Sequence, residues 1–238
     1  MKKLIYLMVG LILITGCAEE IVKKELSPTE MTVTIYFRGN VDSTLYKYYM
    51  IFATSSGIKL PNINLANAFF VRPGEDYDPA DIQNFTGNPA DDIDYYYANY
   101  FHSWVDVTRY KNGQFTIVNP QGFYPTSATP TQHTTLYSDN TPWSVQDLTG
   151  ASVIQVRFNI NSLKTGVTTQ ANNAQMYFNF IVTDITAPGA KGGLIYDYLE
   201  SEPSLVNQAG AQVSEYDASN DAAKPAGADI IRWTVQIK

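Results

Sequence analysis

Three stretches of strict two-residue alternation constrain this chain more than any other feature. Ile154, Val156, Phe158 and Ile160 alternate with Gln155, Arg157 and Asn159. Met176, Phe178, Phe180 and Val182 alternate with Tyr177, Asn179 and Thr183, and Ile181 breaks the pattern on the polar face. Ile231, Trp233, Val235 and Ile237 alternate with Arg232, Thr234 and Gln236. Successive strand residues point to opposite faces, so each stretch is a strand with one apolar side. Val33, Ile35 and Phe37 repeat the pattern earlier, and residues 46–54, 68–72, 95–110 and 114–119 read as further strands. Asn112-Gly113 lies between the last two, a hairpin signal because both central residues of a type I′ turn need φ > 0. Residues 120–144 read as irregular, and 184–228 as loops with one short helical turn near 201–206. No long stretch carries a helical period, which argues against a parallel βαβ sheet. The expected fold is all-β, an antiparallel β-sandwich of immunoglobulin-like or jelly-roll type with long loops and little helix.

The start of the chain follows different rules. Lys2 and Lys3 precede an apolar run over 4–14, and the small residues Thr15 and Gly16 lead to Cys17, the sole cysteine. A basic start, a short apolar run and small residues at the cleavage point make a secretory signal peptide. The run is too short for a bilayer span, which needs about 20 apolar residues. Ile14-Thr15-Gly16-Cys17 resembles the lipobox of bacterial lipoproteins at all four positions. That resemblance implies that Cys17 receives a diacylglyceryl group and becomes the first residue of the mature protein. The plain alternatives are an ordinary signal peptide or a buried structural cysteine. The expected organisation is a leader over 1–16, a lipidated N-terminus and tether over 17–30, and one β-sandwich domain over 31–238. The tether is polar and, extended, reaches about 45 Å at roughly 3.3–3.6 Å per residue. Ala18, where the enterobacterial retention signal has Asp, implies outer-membrane delivery if the organism has that membrane.

Charge narrows the partners. The chain has 23 Asp and Glu against 16 Lys and Arg, a formal charge of −7, and losing Lys2 and Lys3 makes it more acidic. Nucleic acid is therefore not an expected partner, since binding it needs clustered cations. A polybasic hold on anionic lipid is equally unexpected. The membrane is reached through the anchor, and an envelope protein or a polysaccharide is the further partner to look for.

Few residues could carry catalysis. His102 and His133 are the only histidines, no Gly-x-Ser-x-Gly elbow exists, and Cys17 is committed to lipid. No catalytic residue is assigned, and a non-enzymatic protein is expected. The acidic stretch over 75–94 reads as a long loop, and its Asp76, Asp78 and Asp81 form the candidate metal set, with calcium the suitable ion. The plain alternative is a solvated acidic loop, and no cofactor is expected beyond the covalent lipid. The aromatic stretch over 95–104 is the candidate ligand platform. On a strand, Tyr96, Tyr100 and Trp104 share a face with His102, while Tyr97 and Phe101 face the other way toward the core. Outward rings would suit sugar or a partner protein.

The segment over 178–184 and the Trp233 strand distantly resemble the jelly-roll sandwiches of carbohydrate-binding and DOMON-type modules. The haem ligands of the latter have no counterpart here. The leading expectation is thus a membrane-anchored envelope lipoprotein with a binding or scaffolding sandwich. Its rivals are a carbohydrate-binding accessory module using the aromatic face, and an envelope glycoside hydrolase using loop carboxylates at defined spacing.

Overall fold

The computed structural model describes residues 30–61, 68–75, 77–88, 93–118, 141–171, 174–185, 193–217 and 223–238. Two antiparallel sheets pack face to face. The first has five strands: β1 (Glu30–Phe37), β7 (Gln146–Asp147), β8 (Val153–Asn159), β12 (Gln212–Tyr216) and β13 (Ile230–Ile237), in the order β12-β13-β1-β8-β7. The second follows the order β3-β10-β9-β2-β4-β5-β6. Its members are β2 (Tyr46–Ala53), β3 (Phe69–Phe70), β4 (Asp106–Lys111), β5 (Gln114–Ile117), β6 (Thr141–Pro142), β9 (Gln175–Asp184) and β10 (Gly193–Tyr198). A further short strand, β11 (Ser204–Val206), pairs with the start of β9 and takes the place of the helical turn expected there.

The alternating stretches do what their period requires. Val33 and Ile35 of β1, Ile154 and Val156 of β8, Phe178 and Phe180 of β9 and Trp233 and Val235 of β13 all enter one core between the sheets. Trp233 meets the rings of Phe178 and Phe180 edge-on, at centroid distances of 5.3 and 6.2 Å. One element departs from simple alternation. Tyr36 pairs with Arg232 but Phe37 with Ile230, so Ile231 is an extra residue in the ladder. This bulge buries Ile230 and leaves Ile231 half-buried, contrary to its expected place on the apolar face. The Asn112-Gly113 turn joins β4 to β5 with φ of 50° and 72°, as a type I′ hairpin demands.

The second sheet is covered on both sides. Tyr48, Met50 and Phe52 of β2 face the sandwich core, whereas Tyr49 and Ile51 face a second core on the outer side. Ile181 pairs with Tyr49 and points into this second core, which explains its break in the β9 pattern. The cover consists of β3, helix α1 (Pro79–Thr86), helix α2 (Ile93–Asn99) and a 3-10 turn at Phe101–Ser103. A third helix, α3 (Lys164–Gln170), follows β8 and its 3-10 turn. Helix α1 is built by local rules: Asp78 caps its N-terminus by accepting from the Ala80 N–H, Pro79 opens it, and Gly87 ends it at φ 72°. Both α1 and α2 lie where the sequence reads as one acidic loop followed by a strand.

Candidate functional site

The aromatic stretch is helical at its start, and this changes where its rings go. Ile93, Tyr96, Tyr97, Phe101 and Trp104 all pack in the second core, with Tyr100 against its edge. Their spacing of three or four residues is a helix period, a signal that the dense run of tyrosines hides. Tyr96 is fully buried, takes a hydrogen bond from the Val71 N–H and donates to the Phe69 carbonyl. Trp104 is 2% exposed and its Nε1 donates to the Lys59 carbonyl. Tyr100 is half-buried. The expected outward platform of Tyr96, Tyr100 and Trp104 is therefore corrected: two of its rings hold the cap to the sheet. Tyr97 and Phe101 are buried as expected, but from a helix and a turn.

Of the acidic set, Asp78 is spent on the α1 cap and Asp81 lies in that helix's first turn. Asp76 lies outside the described residues. Among the described residues no group of three His, Cys, Asp or Glu is arranged to hold a metal.

The cap encloses a charged cluster that no single stretch announces. Glu75 follows β3 by five residues, and its side chain is 4% exposed. Its Oε1 accepts from Arg109 Nη1 of β4 and lies 3.4 Å from Lys47 Nζ of β2. Its Oε2 accepts from the Tyr49 hydroxyl at 2.7 Å and from the Arg72 backbone N–H at 3.4 Å. Burial by itself would raise the Glu75 pKa, but Lys47, Arg109, Arg72 and the Tyr49 hydroxyl overcome it and bring it down to about 2. Arg72 is also fully buried, and its backbone carbonyl accepts from the Tyr97 hydroxyl. Burial, reinforced by the like charge of Arg109, lowers the Arg72 pKa to about 10, so the guanidinium stays cationic at neutral pH.

A second feature opens to solvent. Tyr198, Glu200, Ser201, Glu215, Tyr216 and Asp217 line an open cleft of about 120 Å³, floored by Leu199, Ile230 and Trp233. Ser201 donates to Glu215 at 2.7 Å, and the Tyr216 side chain is 68% exposed. Two ion pairs fix the surrounding chain: Lys224 with Asp197 at 2.7 Å, and Arg38 with Asp229 at 2.6 Å. Asp197 also accepts from the Ile230 N–H at 2.6 Å, and burial raises its pKa despite these bonds. The cleft joins ring surface to hydroxyl and carboxylate groups, the combination a small polar ligand needs. Neither feature includes a residue proposed from the sequence as a ligand-binding or metal-binding site.

No family model, curated protein or solved structure matches this chain.

Proposed function

We propose that the protein is an exported lipoprotein, tethered to the cell envelope through lipid on Cys17, with a non-enzymatic β-sandwich that binds or scaffolds there. The observation that carries this reading is Ile14-Thr15-Gly16-Cys17 behind a basic start and a short apolar run. The geometry of the domain suits a tether at that end. Glu30, the first residue of β1, exchanges backbone hydrogen bonds with Lys238 at the end of the chain. Tyr216, by contrast, pairs with Arg232, whose other partner is Tyr36 near the far end of β1. A tether entering at Glu30 thus holds one pole of the sandwich toward the membrane and presents the cleft at the other. Stable anchoring needs two or three acyl chains, since one gives only marginal binding.

The full chain and its Cys17→Ser variant, expressed in a bacterial host, are expected to part in detergent phase separation. Wild type should enter the detergent phase and the variant the aqueous phase. Equal retention of both in detergent would mean that the body itself holds the membrane.

Carbohydrate binding is the second reading, and the exposed Tyr216, which lines the same cleft as the Ser201–Glu215 pair, favours it. Sugar rings stack on an open aromatic face while their hydroxyls donate to carboxylates. Because Trp233 lies in the cleft floor, a bound polysaccharide should shift the tryptophan emission of the full chain. Tyr216→Ala should abolish that shift. A broad polysaccharide panel without response, or a response indifferent to Tyr216→Ala, would remove this reading and leave the scaffold.

A further inference from the structure

Arg72 is buried without an acceptor. Its side chain has no exposure, and Nε, Nη1 and Nη2 all lack a hydrogen-bond partner among the described residues. A guanidinium carries five N–H donors and cannot shed its charge to escape the cost. Leaving the donors of a charged group unmet inside a protein is among the more expensive defects a fold can carry.

Glu75 does not relieve it. A carboxylate offers about four lone-pair directions, and those of Glu75 face Arg109, Lys47, the Tyr49 hydroxyl and the Arg72 backbone N–H. The Arg72 side chain lies within electrostatic reach of Glu75, Arg109, Tyr49 and Tyr97, yet bonds to none of them. Lys47, Arg72 and Arg109 thus surround one saturated carboxylate, and half-buried Asp184 also interacts electrostatically with Lys47. The Arg72 fork is the unspent part of this arrangement.

We propose that Arg72 anchors a buried oxyanion site beneath the helical cap, taking a small oxyanion such as phosphate, sulfate or a carboxylate. A planar fork receives two oxygens of such an ion side by side, which a compact ammonium cannot do. Arg109, 11% exposed and the most accessible of the three cations, marks the side from which the ion arrives. The ion would tie β3, which precedes Arg72, to β4, which carries Arg109. It would thereby fasten the cap to the outer face of the second sheet.

The test uses the full chain in detergent, in a buffer with a bulky anion, at constant ionic strength. Phosphate, sulfate, acetate and chloride are added separately, with Tm and calorimetric stoichiometry as readouts. At least one oxyanion should raise Tm by a saturable amount beyond the effect of chloride, with one ion bound per chain. Arg72→Met keeps the length of the side chain and removes its donors, so it should lose the response. It should also melt no lower than wild type in the buffer without added oxyanion. A Tm indifferent to all three oxyanions, or a response that survives in Arg72→Met, would overturn the site. Should Arg72→Met fail to fold, Arg72→Lys decides, because it keeps the charge and gives up the fork. Its affinity should fall by about tenfold or more, and an unchanged affinity would overturn the proposal.

Discussion

Trp233→Ala is expected to lower the unfolding free energy by about 3–5 kcal/mol, the range for truncating a buried large aromatic. Trp233 sits in the central part of β13, which pairs with β1 on one side and β12 on the other, opposite Ile35 and Glu215. Its ring is 3% exposed and reaches across to β9, where Phe178 and Phe180 meet it edge-on. Truncation leaves a cavity between the two sheets beneath the floor of the cleft, and the paired backbones on either side limit how far it can collapse. At about 2–4 °C per kcal/mol for a domain of this size, the expected fall in Tm is roughly 10 °C. Urea melts should show a lower midpoint with the slope preserved. An unchanged midpoint would mean that the two sheets are not held together through this ring.

The sandwich was legible because its signal is local. In β1, β8, β9 and β13 apolar residues on one face alternate with mostly polar ones on the other, and Asn112-Gly113 writes its own turn, so neither needs knowledge of the rest of the chain. Legibility failed where the second core left a strand with little polar face to show. Lys47, Tyr48, Tyr49, Met50, Ile51 and Phe52 are all buried, three toward each side, and such a strand shows no polar face. The cap that causes this is hidden in the sequence for a related reason. Tyr favours strands by propensity, and a run of tyrosines fits period two and period 3.6 alike until Ile93 and Trp104 extend the count.

The charged cluster was illegible for a different reason. Lys47, Arg72, Glu75 and Arg109 come from β2, the loop after β3 and β4, and each alone reads as an ordinary surface charge. Only the antiparallel register of β2 with β4, which sets Tyr49 against Arg109, brings the ends of these side chains together. Glu75 stands in the stretch whose acidic residues suggest a calcium loop. Its neighbours instead are cations and a phenol, so its negative charge is consumed inside the fold.

Glu75→Gln tests how much of the cap depends on that charge. Breaking a buried ion pair by removing one partner costs about 3–5 kcal/mol, because the surviving charge is left uncompensated. Here two cations would lose their shared acceptor, while the Gln side chain keeps the volume and can still accept from Tyr49. The deficit should appear at neutral pH as a lower denaturation midpoint and faster hydrogen exchange in the backbone of α2. The pH dependence supplies the sign. The folded pKa of Glu75 is about 2 against an ordinary 4.5, so its contribution is present in full above about pH 4.5. That contribution falls away as pH drops toward 2, and a shift of this size corresponds to about 3 kcal/mol at 1.36 kcal/mol per unit. Wild type should therefore lose stability relative to Glu75→Gln between about pH 4.5 and 2, with the two curves converging at the acid end. Asp106, Asp184 and Asp197, whose pKa values burial raises, act in the opposite sense and are shared by both proteins, so they cancel in the difference. A difference between wild type and variant that stays constant across this range would show that Glu75 acts through shape and not through charge.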